Sequence, residues 1–216
     1  MSPDPTLQTA AAEALLAREA LILGQPPRIP PIEGVEAEKA ALVLRQKVLT
    51  GMFGAAPAIG SAELPEIFLT MQNYPSLFEK VSNLPVALYR DATLAPRDRE
   101  LVVLRLTWLR LAPYAWGEHV RKAKQAGISS SEIERITIGH RAPEWSEHER
   151  ALLQATEELV ADAMISDAVW QSLAKRLDER QLFELTVLAG AFTLVAYYQN
   201  ALRLRLSPAN DGLRSR

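Results

Sequence analysis

The placement of proline constrains this chain's fold more than any other feature. Of 14 prolines, only Pro113, Pro143 and Pro208 fall in the last 120 residues. Proline lacks an amide hydrogen and is tolerated at a first helical turn, whereas glycine favours the position just past a last one. Pro96 therefore predicts a helix running to about Arg110, and Pro113 opens a second that Gly127 closes. The pairs Ser131 with Glu134, Ser146 with Glu149 and Asp178 with Gln181 fit capping boxes and mark further helix starts. Gly139 and Ala142-Pro143 separate two of these segments. No stretch alternates with period two and turn dipeptides typical of hairpins are missing, so the predicted fold is all-α, a helical bundle.

Ahead of Pro96 the pattern is more broken. An alanine-rich helix is expected over about Leu7–Leu23, then a proline-rich connector, a helix near Glu36–Thr50, a glycine-rich loop, and short helices broken by Pro75 and Pro85. A chain of 216 residues suits one domain with an extension, divided here as 1–60 and 61–216. A net charge of -2 carries no footprint for nucleic acid or anionic lipid, so neither partner is expected. The absence of cysteine removes disulfides, thiolate nucleophiles and thiolate metal sites. The first residues lack the charged start and apolar core of a secretion signal, which makes the cytoplasm the default location. The most apolar run, Leu185–Tyr198, is shorter than the roughly 20 residues that span a bilayer and is expected in a core or a subunit interface.

An internal echo is visible at a shift of 84 residues, which lays Arg99–Leu104 on Phe183–Leu188, Ala112 on Ala196 and Tyr114 on Tyr198. It fits either a duplicated helical hairpin or two unrelated apolar helices. In the second copy Arg203 stands where the first has His119.

Two residues in the first copy carry potential chemistry. At about 100° per residue, Glu100 shares an apolar face with Val103, Leu104 and Thr107. Desolvation raises a carboxyl pKa and lets a glutamate hold a proton near neutral pH. Pairing with Arg97 or Arg105 is the competing use. His119 shares its face with Ala112, Ala115, Ala123 and Ala126, a pattern that fits either a cavity beside the imidazole or a close helix contact.

The spacing Glu100, Ala112, Ala115, His119 resembles the pattern E-x11-C-x2-C-x3-H of the alkylhydroperoxidase D-like branch of the carboxymuconolactone decarboxylase family, with alanine at both cysteine positions. The flanking runs Arg97-Asp98-Arg99-Glu100-Leu101-Val102-Val103-Leu104-Arg105, Trp116-Gly117-Glu118-His119-Val120-Arg121 and Ala126-Gly127-Ile128 are similar to cysteine-free members. The likeness spans about Leu64 to Leu206. It implies a helical bundle, a homo-oligomer (dimer, trimer or hexamer), a small-molecule substrate and no cofactor. Dithiol peroxide reduction is excluded, because both sulfurs are missing. The decarboxylase branch needs no thiol, so the resemblance implies acid-base chemistry on a small lactone or carboxylic acid, with His119 as base and Glu100 as acid or orienting group. A non-catalytic helical oligomer that kept the fold is the alternative.

Around this pair, Tyr114 and Trp116 are candidates for lining a pocket, and Arg105 for gripping a substrate carboxylate unless it serves a structural pair. Tyr198 closes the long apolar helix with a polar tip that faces either the same cavity or an interface. Glu118 is expected toward solvent or Arg121. His140 and His148 lack dense ligand spacing, so no metal site is expected.

Overall fold

A computed structural model describes residues 5–44 and 66–216. Ten α-helices are present among the described residues, without strands: α1 (Pro5–Ile22), α2 (Gly34–Leu44), α3 (Glu66–Met71), α4 (Pro75–Arg90), α5 (Pro96–Leu109), α6 (Pro113–Gln125), α7 (Ser130–Ile138), α8 (Glu147–Asp162), α9 (Asp167–Ala174) and α10 (Glu179–Leu202). A short 3-10 turn, Gly212–Arg214, lies near the C-terminus. The expected glycine-rich loop, the last residues of the helix predicted to reach Thr50, and the division near residue 60 lie outside the described residues.

Helix α5 is the axis of the bundle because it has no polar face to offer water. Every residue from Arg99 to Thr107 is buried, and Leu101 through Leu104 are fully so. Helices α6, α7, α8 and α10 pack around it. Truncating one such leucine to alanine costs about 2–5 kcal/mol, so this helix holds much of the fold's stability. The caps do what the sequence asks at α8 and α10: Ser146 with Glu149 and Asp178 with Gln181 form reciprocal boxes. At α7 the box is two residues earlier than predicted, on Ser129 and Glu132. The three consecutive serines leave that register ambiguous, and the flanking Ile128 and Ile133, both buried in the core, fix it as a hydrophobic staple.

Two expectations fail. Pro85 does not break the chain; it sits inside the single helix α4, where it removes one rung and is itself buried. The amphipathic face continues across it through Phe78, Val86 and Leu88, and that burial offsets a penalty of about 3 kcal/mol. The hairpin duplication is also not observed. Helix α10 runs unbroken through the position equivalent to the α5–α6 turn, and Arg203 caps its end in the left-handed region at φ 57.

The apolar run Leu185–Tyr198 lies within α10, whose 24 residues are long and apolar enough to cross a membrane by length and composition, and half of its most apolar window is buried in the fold. The N-terminal segment is docked on the bundle: Ile22 is buried, Leu213 N donates to Glu19 Oε1 at 2.8 Å, and Arg28 N donates to the Leu202 carbonyl at 3.0 Å.

Candidate active site

Helices α5 and α6 bring Glu100 and His119 into direct contact. His119 Nδ1 lies 2.8 Å from Glu100 Oε2, with both residues buried. The two side chains meet without an intermediary. The second carboxylate oxygen accepts from the Tyr89 hydroxyl at 2.8 Å, and that hydroxyl is also 3.2 Å from His119 Nδ1. Phe192 of α10 meets the imidazole edge-on, with ring centroids 4.8 Å apart and planes at 86°, which fixes the ring's tilt.

The electrostatics favour an ionised carboxylate beside a neutral imidazole. Burial pushes the Glu100 carboxyl up, but the charge and hydrogen bond of His119, the Lys122 ammonium and the Tyr89 hydroxyl outweigh it and hold Glu100 below its ordinary value. This reverses the expectation of a raised carboxyl pKa. Burial is the leading influence on His119 and pushes it below its ordinary value; Glu100 opposes that and Lys122 adds to it. Tyr89 is raised by burial and by Glu100, so it remains a phenol able to donate.

With Nδ1 engaged by Glu100, Nε2 is the ring nitrogen left for a substrate. His119 lines a cavity of about 110 Å³ walled by Phe68, Phe78, Tyr114, Ala115, Phe192 and Tyr198, with polar atoms from Ser82, Glu118, Lys122 and Gln199. The wall comes from α4, α6 and α10, with Ile67 and Phe68 added by α3. Of the four alanines on the imidazole's face, only Ala115 reaches this cavity; Ala112 and Ala123 are spent in the core. On the far side of the carboxylate a more open polar cleft is formed by Tyr89, Arg99, Glu100, Lys122 and Gln125. The network thus separates an apolar chamber from a basic one.

The other sequence candidates divide. Tyr114 and Tyr198 line the chamber, and burial holds both phenols above their ordinary value. Trp116 does not: its ring packs against Trp108 in a tilted contact with centroids 4.9 Å apart, and its Nε1 donates to the Ser215 carbonyl at 3.0 Å. Arg105 is a structural residue. Its Nε donates to Glu157 at 2.9 Å, and NH1 donates to the Ile136 and Thr137 carbonyls, capping the end of α7. Glu118 pairs with Arg121 at 2.7 Å as expected but is also held by Ser207 and Asn210. His140 meets Glu157 and His148 meets Asp98. Among the described residues no group of three or more His, Cys, Asp or Glu is arranged to hold a metal ion.

Sequence reasoning missed Tyr89 and Lys122. Lys122 follows His119 by three residues on α6, so helical spacing could have found it. Tyr89 reaches the pair only through the packing of α4, which no local pattern encodes.

The segment from the start of α4 to α8 contains the whole Tyr89, Glu100, His119 and Lys122 constellation, and residues 75–158 match the profile of the Carboxymuconolactone decarboxylase family. Over that segment the chain is similar to the family. Outside the matched segment, α10 supplies Phe192, Val195, Tyr198 and Gln199 to the chamber. Comparison with curated proteins finds no match. Among solved structures, the fold is similar to an alkylhydroperoxidase AhpD core protein, an uncharacterized peroxidase-related protein from Ralstonia eutropha JMP134. The TM-score is 0.66 at 17% identity, covering 85% of this chain and 94% of that one. A putative antioxidant defence protein AhpD of unknown function from Agrobacterium tumefaciens gives TM-score 0.59 at 21% identity, covering 63% of this chain and 94% of that chain. The debrominase Bmp8, as a cysteine-to-alanine variant in complex with 2,3,4-tribromopyrrole, gives TM-score 0.65 at 15% identity over 86% of this chain and 94% of that one. These identities carry the fold alone.

Proposed function

We propose that this protein is an acid-base enzyme without a cofactor, a decarboxylase or related lyase or isomerase, acting on a small lactone or carboxylic acid in the chamber beside His119. The observation that carries the reading is the 2.8 Å contact between His119 Nδ1 and Glu100 Oε2 at the wall of a largely apolar cavity. Glu100 fixes the tautomer and supports the imidazolium that forms when Nε2 takes a proton. Its lowered pKa suits this orienting role better than that of a proton donor. In an isomerisation the imidazole removes a proton from a carbon next to the carbonyl and returns it elsewhere on the conjugated system. In a decarboxylation the imidazole takes the proton of the substrate's carboxyl group, the carbon-carbon bond breaks, carbon dioxide leaves, and the electron pair delocalised into the lactone carbonyl is quenched by that proton returned from the imidazolium. Lys122 and Gln199 provide the polar end of the chamber for a carboxylate or carbonyl. The chain holds no cysteine, so dithiol reduction of peroxide is not open to it.

The test is a screen of lactone acids with the wild type and the His119→Asn and Glu100→Gln variants. A substrate turned over by the wild type, with a loss of about 100-fold or more in His119→Asn, is expected for removal of a general base. Undiminished turnover in both variants would eliminate the mechanism.

A homo-oligomer is part of the same proposal. Phe183, Leu194 and Tyr197 are exposed along one side of α10, an apolar stripe suited to a second copy. This stripe also favours the second reading, a non-catalytic oligomeric scaffold, which would leave every screened substrate untouched. Light scattering that returns a monomer would remove the oligomer from both.

A further inference from the structure

A cavity larger than the chamber beside His119 lies elsewhere among the described residues. It is a cleft of about 670 Å³ where the N-terminal segment meets the C-terminal ends of α5 and α10, and Arg18, Arg28, Arg110 and Arg203 all line it, with no acidic residue among the lining side chains. That concentration is unusual in a chain whose net charge is -2. Several arginines elsewhere are matched to carboxylates: Arg97 to Glu132 and Glu149, Arg105 to Glu157, Arg135 to Glu144.

Helix ends explain part of the cluster. Cations near a helix C-terminus complement its dipole. Arg28 donates to the Ala201 carbonyl at 3.2 Å, and Arg110 donates to the Val160 carbonyl at 3.2 Å. The side chains of Arg18 and Arg203 have no ion pair or hydrogen-bond partner among the described residues. Arg18 Nε and Arg110 Nε are buried without a partner, as is Asn200 Oδ1, whose amide nitrogen is held by the Arg110 and Leu111 carbonyls. Leu111, in the turn that forms one edge, has φ 46, a conformation that costs a non-glycine residue on the order of 1–3 kcal/mol. Leu21, Leu109, Leu111 and Tyr197 add an apolar wall beside the charges.

We infer that this cleft binds a phosphate-bearing small molecule, with the guanidinium groups gripping the phosphates and the apolar wall taking the organic body. Planar guanidinium forks match phosphate oxygens pairwise, and the volume suits a ligand of nucleotide size. The N-terminal segment then has a role, since Arg18, Leu21 and Arg28 come from it. The site lies on the opposite face of α10 from the catalytic chamber, so its occupancy can be tested without any assay of turnover.

Calorimetric titration with ADP, pyrophosphate and adenosine separates the sources of binding. ADP and pyrophosphate are expected to bind, with affinities that fall as salt is raised, and adenosine is not. Tighter binding of ADP than of pyrophosphate assigns the site to a nucleotide; equal binding assigns it to the phosphate groups alone. Arg18→Gln and Arg203→Gln, neither of which removes a hydrogen bond from the fold, should each weaken ADP by about tenfold or more, while circular dichroism stays that of the wild type. Absence of binding by both phosphates at millimolar concentration, or binding that neither variant alters, would overturn the inference.

Discussion

Tyr89 holds Glu100 from the side that His119 leaves open: its hydroxyl donates to Oε1 at 2.8 Å while the imidazole occupies Oε2. One buried carboxylate therefore has both oxygens committed. Tyr89→Phe removes the donor to Oε1, which then lies 3.9 Å from the Arg99 guanidinium. The expected loss is about 1–3 kcal/mol of unfolding free energy, seen as a lower urea midpoint with an unchanged slope. An unchanged midpoint would mean that Tyr89 contributes packing alone.

Two charged neighbours of the imidazole pull in opposite directions. Lys122 lowers the His119 pKa and Glu100 raises it. Lys122→Met should therefore move the His119 titration upward and Glu100→Gln should move it downward. With 3 histidines in the chain, proton NMR of the imidazole Cε1-H resonances can follow each one. Shifts of the same sign in both variants would contradict the arrangement.

Acid stability follows from the same pair. His119 and Glu100 are each held below their ordinary values of 6.5 and 4.5 in the folded chain. The unfolded chain then takes up these protons first, so the stabilisation is present above the unfolded values and is lost as pH falls through the folded ones. Urea unfolding across pH 7 to 4 should show stability decreasing from about pH 6.5 downward. In His119→Asn the upper part of that decline should disappear.

How much of this was legible beforehand depends on the range of the interaction. The helices after Pro96 and two capping boxes are local, and the chain spells them out in proline, glycine and serine. Glu100 and His119 were found because spacing places them on apolar faces. The chamber was not, because Phe68 and Phe78 on consecutive helices meet α6 and the far-distant Phe192 only through tertiary packing. Arg105 and Trp116 misled for the reverse reason: each has suitable chemistry, but tertiary packing turns Arg105 to Glu157 and Trp116 to Ser215. Pro85 was misjudged because a local penalty was weighed without the buried face that outweighs it.

Gly117 offers a test of the C-terminal segment. A Cβ there would fall 1.8 Å from Asn210 Oδ1. Asn210 ties that segment to α6 by donating to the Tyr114 carbonyl at 2.9 Å and accepting from Gly212 N at 2.9 Å. Gly117→Ala should displace Asn210 and cost about 1–3 kcal/mol, lowering Tm by several degrees. Faster tryptic cleavage after Arg205 is expected alongside. Wild-type cleavage kinetics would mean the segment tolerates the shift.

Ala115 stands in the chamber wall of a chain that contains no sulfhydryl at all. Ala115→Cys would give the molecule a single thiol facing that space, with no background to remove. Its alkylation rate then becomes a clock for how often the chamber admits a molecule from solution, readable by mass spectrometry before any substrate is known.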